Sequence, residues 1–241
     1  IKMKTGIAFA FLGAVTSVAA HATFQELWVN NVDDDQKCIR LPASNSPVTN
    51  VMGKDMVCNV GGTKGVAGVC EVTAGQAAAV EMHQQPHDRT CKTESIGGQH
   101  YGPVMVYMSK VADATKSDGS DAWFKVSEFG YDASNKTWGT DLLNKDCGRY
   151  HFTVPSKIPA GDYLIRAEAI ALHAAAQANG AQLYMSCFQV KVKSSGSQLP
   201  AGVKLPGAYN ANDPGLKVDI HSQNFKSYTI PGPKVIDQSY F

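Results

Sequence analysis

The chain has 241 residues, with 22 Lys and Arg against 21 Asp and Glu, and a formal charge of +1. So small a net charge excludes a basic field for nucleic acid or an anionic membrane. The length suffices for one large domain with a full core, and no apolar run beyond the leader approaches membrane length.

Residues 1–20 read IKMKTGIAFAFLGAVTSVAA. Lys2 and Lys4 precede an apolar run from Ile7 to Val15 that is too short and wrongly flanked to span a bilayer. Val18 and Ala20 then supply small residues, which completes the pattern of a secretory signal peptide. Cleavage after Ala20 leaves His21 at the N-terminus of a mature chain, 21–241, and changes the formal charge by two lysines to −1. Cleavage after Ala19 or Ala22 is the competing outcome. Six cysteines behind such a leader point to disulfides in an oxidising compartment, and six allow 15 pairings among which spacing does not choose.

A histidine at the N-terminus has particular chemistry. Its amine and its ring Nδ1 can close one chelate ring on a metal, and the amine, with a pKa of about 8, yields its proton readily. Such nitrogen ligands suit copper. A third nitrogen from a distant histidine would complete a near-planar site.

Helical periodicity is scarce along the rest of the chain. NNVDDDQ (30–36) reads as a turn. EMHQQPHDRTCKTESIGGQH (81–100) reads as a polar loop leading to His100. His83 and His87 in it have i,i+4 spacing, but Pro86 argues against the helix that would align them, so they are expected to be solvated. GPVMVYMSKV (102–111), DAWFKVSEF (121–129), RYHFTV (149–154), DYLIRAEAIAL (162–172) and LYMSCFQVKVK (183–193) read as strands. RYHFTV is the clearest: Tyr150, Phe152 and Val154 share one face. PSKIPAGDY (155–163) is a turn between strands, and AIALHAAAQANG (169–180) could carry a short helical turn because alanine favours helix. Trp123 and Trp138 are expected in the core. Asn135-Lys136-Thr137 is a glycosylation sequon. After Lys193 the chain is rich in Pro and Gly, yet Val203, Leu205, Tyr209, Leu216, Ile220 and Ile230 supply regular apolar anchors. An ordered wrap is therefore expected rather than a linker. Many short strands with such turns suggest an all-β sandwich. The expected organisation is one catalytic domain over 21–241 with no appended carbohydrate-binding module.

Four further positions carry candidate chemistry. His100 precedes an apolar strand, at the rim where loops build sites. Gln182 and Tyr184 are two apart, so on a strand they face the same way, and a buried tyrosine hydroxyl needs a partner such as a glutamine amide. His173 is ambiguous alone. His151 and His221 receive no role.

His21, SPVTNV…VCN (46–59), HYGPVMVYMSKV (100–111), GDYLIRAEAIALHAA (161–175), GAQLYMSCFQV (180–190), PGAYNANDPG (206–215) and YTIPGP (228–233) together, in this order, resemble the fungal lytic polysaccharide monooxygenases of auxiliary-activity family nine, once glycoside hydrolase family sixty-one. The resemblance implies an immunoglobulin-like β-sandwich with a flat face around one copper ion. It implies that His21 binds copper through its amine and Nδ1, His100 through Nε2, and that Tyr184 sits axially. His173 and Gln182 would position bound oxygen species, and Tyr228 would offer a surface ring to the sugar. Cys58 and Cys187 match the family's common disulfide, which leaves three pairings open for Cys38, Cys70, Cys91 and Cys147. The implied reaction is hydroxylation of a C–H bond beside the glycosidic link of a β-1,4-glucan, cellulose foremost, with O2 or H2O2 and an external reductant or electron-donating enzyme. The implied protein is a secreted monomer that engages neither nucleic acid nor membrane.

Two other functions compete. A glycosidase needs two facing carboxylates, for which Glu81, Glu128 and Glu168 are strand-borne candidates without a surrounding signature. No G-x-S-x-G or H-E-x-x-H motif is present. A secreted copper- or carbohydrate-binding protein without turnover is the other, and it would not need the Gln182, Tyr184 and His173 set.

Overall fold

A computed structural model describes residues 21–241, so the expected signal peptide, residues 1–20, lies outside the described part. Two sheets face one another. The first is formed by β1 (Thr23–Val29), β2 (Val32–Asp33), β5 (Ala77–His83) and β10 (Arg149–Thr153), in the order β10-β5-β1-β2 and antiparallel throughout. The second contains β3 (Ile39–Arg40), β6 (Val104–Lys110), β7 (Phe124–Phe129), β11 (Gly161–Ala171) and β12 (Gln182–Lys193), in the order β3-β12-β11-β6-β7. β4 (Cys70–Thr73) runs parallel to β12 on its β3 side. A small hairpin of β8 (Tyr131–Asp132) and β9 (Thr137–Trp138) leads into a seven-residue helix, α1 (Gly139–Lys145). The chain is an all-β sandwich of immunoglobulin-like type.

Alternation explains how β11 fills two cores at once. Tyr163, Ile165, Ala167, Ala169 and Ala171 project between the sheets, with Phe24, Leu27, Val80, Met82, Phe152 and Phe188. Leu164, Ile170 and Leu172 face the other way, into a second core with Met105, Tyr107 and Trp123, closed by Leu205, Tyr209 and Leu216 of the C-terminal segment. That segment is the expected ordered wrap, and it is tied down by a bridge from Val203 to Trp123 and another from Val235 to Lys125. The second core also holds the fully buried Arg166 and Glu168. Arg166 donates to Glu168 Oε2 at 2.7 Å and to the carbonyls of Val57 and Met56, and Tyr209 donates to the same carboxylate oxygen at 2.6 Å. These bonds offset the desolvation of the guanidinium and of Oε2, while Glu168 Oε1 is buried without a hydrogen-bond partner.

Three disulfides close the chain: Cys38–Cys70, Cys58–Cys187 and Cys91–Cys147. The second is the one the family resemblance implied.

Three local expectations are corrected. His83 is not a solvated loop residue: it ends β5 and is buried, with its Nε2 2.7 Å from Glu81 Oε1. β5 is the central partner of β1 and β10, and the loop after it folds back over its outer face through Arg89, which buries Glu81 and His83. His87 is exposed, as expected. The alanine-rich stretch after Ala171 forms successive tight turns, with Ala175 N donating to Leu172 O and Gln177 N to Ala174 O, but no helix. NNVDDDQ contains the short strand β2 inside its turn.

Candidate metal centre

The site lies where strands of both sheets end together. β11 and β12 pair so that Ala169 faces Tyr184 and Ala171 faces Gln182. β6 pairs with the other edge of β11, placing Val104 beside Ala169. The chain just before β6 continues this ladder: Ile170 N donates to Pro103 O at 3.1 Å and Leu172 N to Tyr101 O at 2.9 Å. Gly102 makes the approach possible, since a Cβ there would lie 1.7 Å from Ile170 O. His100 and His173 each flank this last bridge, and their rings stand 4.5 Å apart between centroids, tilted by 53°.

The Tyr184 ring is fully buried, 6.2 Å from that of His100. Its hydroxyl donates to Gln182 Oε1 at 2.9 Å, which is the partnership read from their i,i+2 spacing. Burial raises the Tyr184 pKa well above the ordinary phenol value, so the hydroxyl keeps its proton. His21 comes from the first sheet. Two residues on, Thr23 sits opposite His83 in the β1–β5 ladder, and Ser186 Oγ donates to Phe24 O at 2.8 Å, locking β1 onto β12.

Electrostatics favour neutral imidazoles. Burial and then His173 lower the His100 pKa to about 4, partly opposed by the Gly97 backbone, with smaller effects of His21, which lowers it, and Gln182, which raises it. Burial, and then His221, lower that of His173 as well. The Nδ1 atoms of both rings are buried without a hydrogen-bond partner. A neutral His100 ring close to the nitrogens of His21 is the kind of nitrogen donor set that a metal of borderline softness requires, so these residues fit copper. Asp34, Cys38 and Cys70 also cluster, but both sulfurs are consumed by their disulfide and offer no thiolate.

The structure thus brings His100, His173, Gln182 and Tyr184 together, with His21 near enough to act on His100. Tyr228, for which a surface ring is expected, is held by the wrap. It is half-buried, its ring packs edge-on against Trp138 at 5.1 Å, and its hydroxyl donates to Gly215 O at 2.7 Å. Tyr101, which follows His100 directly, is the aromatic left exposed here, at 38 %. It lines a cavity of about 340 Å³ with Lys136, Asp141 and His221 among others. His221 was given no role from the sequence, and only the return of the wrap brings it to His173. The carboxylates a glycosidase would need are spent elsewhere: Glu81 accepts from His83, Arg89 and Trp28, Glu168 is sealed in the second core, and Glu128 is paired with Lys125.

The sequence model of Auxiliary Activity family 9 (formerly GH61) matches residues 21–228. The chain belongs to this family. Auxiliary activity family 9 lytic polysaccharide monooxygenase E of Botryotinia fuckeliana is 55 % identical over 233 residues, covering 97 % of this chain and 98 % of that protein. A family 9 enzyme of Trametes coccinea, AA9-X282, is 58 % identical over 219 residues, 90 % of this chain and 79 % of that one. Among solved structures, CvAA9A superimposes with a TM-score of 0.82 at 32 % identity, covering 90 % of this chain and 98 % of the other. A cellulose-active polysaccharide monooxygenase from M. thermophila gives 0.73 at 27 % identity, with 90 % and 99 % covered. Family 9 enzymes are copper-dependent oxidoreductases that cleave polysaccharides oxidatively, and this chain is such a lytic polysaccharide monooxygenase. Among the described residues no helix is long and apolar enough to cross a membrane.

Proposed function

We propose that this monooxygenase acts on β-1,4-glucan, cellulose foremost, hydroxylating the C–H bond beside the glycosidic link with O2 or H2O2 and electrons from an external reductant. The observation that carries the reading is the convergence of His100, His173 and the Gln182–Tyr184 pair at one end of the second sheet. The cellulose assignment draws on the structural likeness to the cellulose-active enzyme. In this reading the mature chain is secreted, begins at His21 and forms one catalytic domain.

His21, through its amine and Nδ1, and His100, through its ring, would hold the metal together with Tyr184, whose ring lies 6.2 Å from that of His100. Copper, when bound, supplies the one-electron oxygen chemistry that acid–base side chains cannot. Burial keeps His100 neutral, so binding need not displace a proton from it near neutral pH. Gln182 accepts the Tyr184 hydroxyl and so fixes its direction, leaving the amide NH2 to donate towards the reacting face. His173 and Gln182 are set to donate hydrogen bonds to negative charge developing on oxygen during the reaction. Tyr184 contributes a sealed, protonated floor that keeps bulk water from that side.

The test is mass spectrometry of soluble sugars released from cellulose by the copper-loaded mature protein, with and without ascorbate. Oxidised oligosaccharides that need the reductant establish the reading, and their end groups name the attacked carbon. Oxidised products from another polysaccharide alone would replace cellulose, and unoxidised products without reductant would restore the hydrolase. Retaining even one residue before His21 should abolish tight copper binding, because the amine ligand is lost.

A further inference from the structure

We infer that Thr140 and Asn144 are positioning residues for His100, and that α1 is the jig in which this histidine is set. The inference rests on the reading of His100 as a metal ligand. Thr140 and Asn144 are four apart on α1 and therefore lie on one face of it. Each forms a two-bond ring with a single residue of the segment that carries His100. Asn144 Oδ1 accepts from Ile96 N at 3.0 Å, and its Nδ2 donates to Ile96 O at 3.2 Å. Thr140 Oγ1 accepts from Gly102 N at 3.2 Å, and Thr140 N donates to Gly102 O at 3.1 Å. The segment is thus gripped four residues before His100 and two residues after it by one short rigid element.

Alternative supports for this stretch are few. Ile96 belongs to no strand, and its backbone donor and acceptor are both spent on Asn144. Gly102 precedes a proline, and its N–H has the buried Thr140 hydroxyl as its partner. A buried N–H robbed of its acceptor moves to find another, and here the movement is transmitted to the neighbouring ligand. The helix is in turn fixed at both ends. Asp141 Oδ2 accepts from Trp138 N at 2.7 Å, Gly139 N donates to Gly130 O at 3.0 Å, and the Cys91–Cys147 bond ties the chain just beyond α1 to the loop before Ile96. Neither Thr140 nor Asn144 is itself a metal ligand. Their part is to hold the His100 backbone in the one place from which its ring meets the others.

The test compares Thr140→Ala, Asn144→Ala, Thr140→Ser and His100→Ala with the parent, all with a free His21. The readouts are Cu(II) affinity, by competition with a chromophoric chelator, and the Cu(II) EPR spectrum. A Ser127→Ala variant serves as control, losing a bond to Tyr150 between β7 and β10. The two alanine variants should bind copper about 10- to 100-fold more weakly, the range found for residues that orient metal ligands, with altered EPR parameters. Thr140→Ser, which keeps the hydroxyl, should restore both, and Ser127→Ala should leave both unchanged. Parent-like affinity and spectrum in Thr140→Ala and Asn144→Ala, with His100→Ala defective, would overturn the positioning role alone. Parent-like copper binding in His100→Ala would instead remove the metal assignment, and this inference with it.

Discussion

Glu81 is the residue whose titration the structure makes most consequential for stability. It lies on the outer face of β5, buried, and accepts hydrogen bonds from Trp28 Nε1 at 2.6 Å, His83 Nε2 at 2.7 Å, and Arg89 Nε and Nη2 at 2.7 and 2.8 Å. Burial alone would raise its pKa, but these donors and the Arg89 charge outweigh it, leaving a value lowered to about 2 from the ordinary 4.5. The folded state therefore holds this carboxylate ionised where the unfolded chain has begun to protonate it. The stabilisation is present in full above pH 4.5 and is lost as the pH falls through 4.5 towards 2. A difference of that size corresponds to about 3 kcal/mol. The perturbation is Glu81→Gln, and the assay is urea unfolding of both proteins by tryptophan fluorescence from pH 6 to pH 2. The parent should exceed the variant by about 3 kcal/mol at pH 6, and the gap should close on approaching pH 2. Other carboxylates titrate in both proteins and cancel in the difference. A gap that stays constant over this range would refute the account, since it would mean that Glu81 acts by packing and not by charge.

His100 gives the same sign for a different reason, since here burial disfavours the charged form. Its lowered value of about 4 means that the unfolded chain takes up a proton below pH 6.5 while the folded chain does not, so the metal-free protein should lose about 1–3 kcal/mol as the pH falls from 6.5 to 4, and His100→Ala should lack that loss in the same urea titration. Arg166→Met strands the Glu168 carboxylate in the second core and should destabilise by about 3–5 kcal/mol in denaturant melts. Cys91 is exposed, whereas both sulfurs of each other disulfide are buried, so limited reduction followed by alkylation should label Cys91 and Cys147 first on peptide mapping. Replacing that pair by serine reopens a loop of 56 residues and should cost at most about 4 kcal/mol in a thermal melt referenced to the oxidised parent.

Strands whose residues alternate, or whose apolar runs are rich in β-branched and aromatic side chains, were legible in the sequence: β6, β7 and β10 fall inside the stretches read for them, and β11 and β12 each begin one residue earlier than their stretches. β5 was not. AAAVEMH has the alanines of a helix and the polar end of a loop, and it is a strand because β1 and β10 pair with it on both sides. His83 was misplaced for the same reason, since its burial depends on Arg89 and on strands distant in sequence. Of the site, the Gln182–Tyr184 pair followed from spacing alone. The meeting of His100 and His173 did not, because it depends on the Leu172–Tyr101 bridge, and it was reached through the family resemblance. The half-buried setting of Tyr228 and the approach of His221 to His173 were hidden by the wrap, whose course carries no periodic signal.

The wrap also sets the order in which the molecule can be completed. Tyr209 and Leu216 seal the outer face of the second sheet, and Val235 bridges to Lys125. His21 lies at the opposite end of the described chain, and Cys58 waits for Cys187, 129 residues later. A nascent chain emerging from its first residue onward therefore displays β6, β7, β11 and β12 with one apolar face uncovered until the segment from Leu205 to Val235 has been made. Contacts of such sequence separation slow folding and leave intermediates prone to aggregate. The period in which the sheet that bears the site is only half clothed is thus the one in which the chain is most open to aggregation.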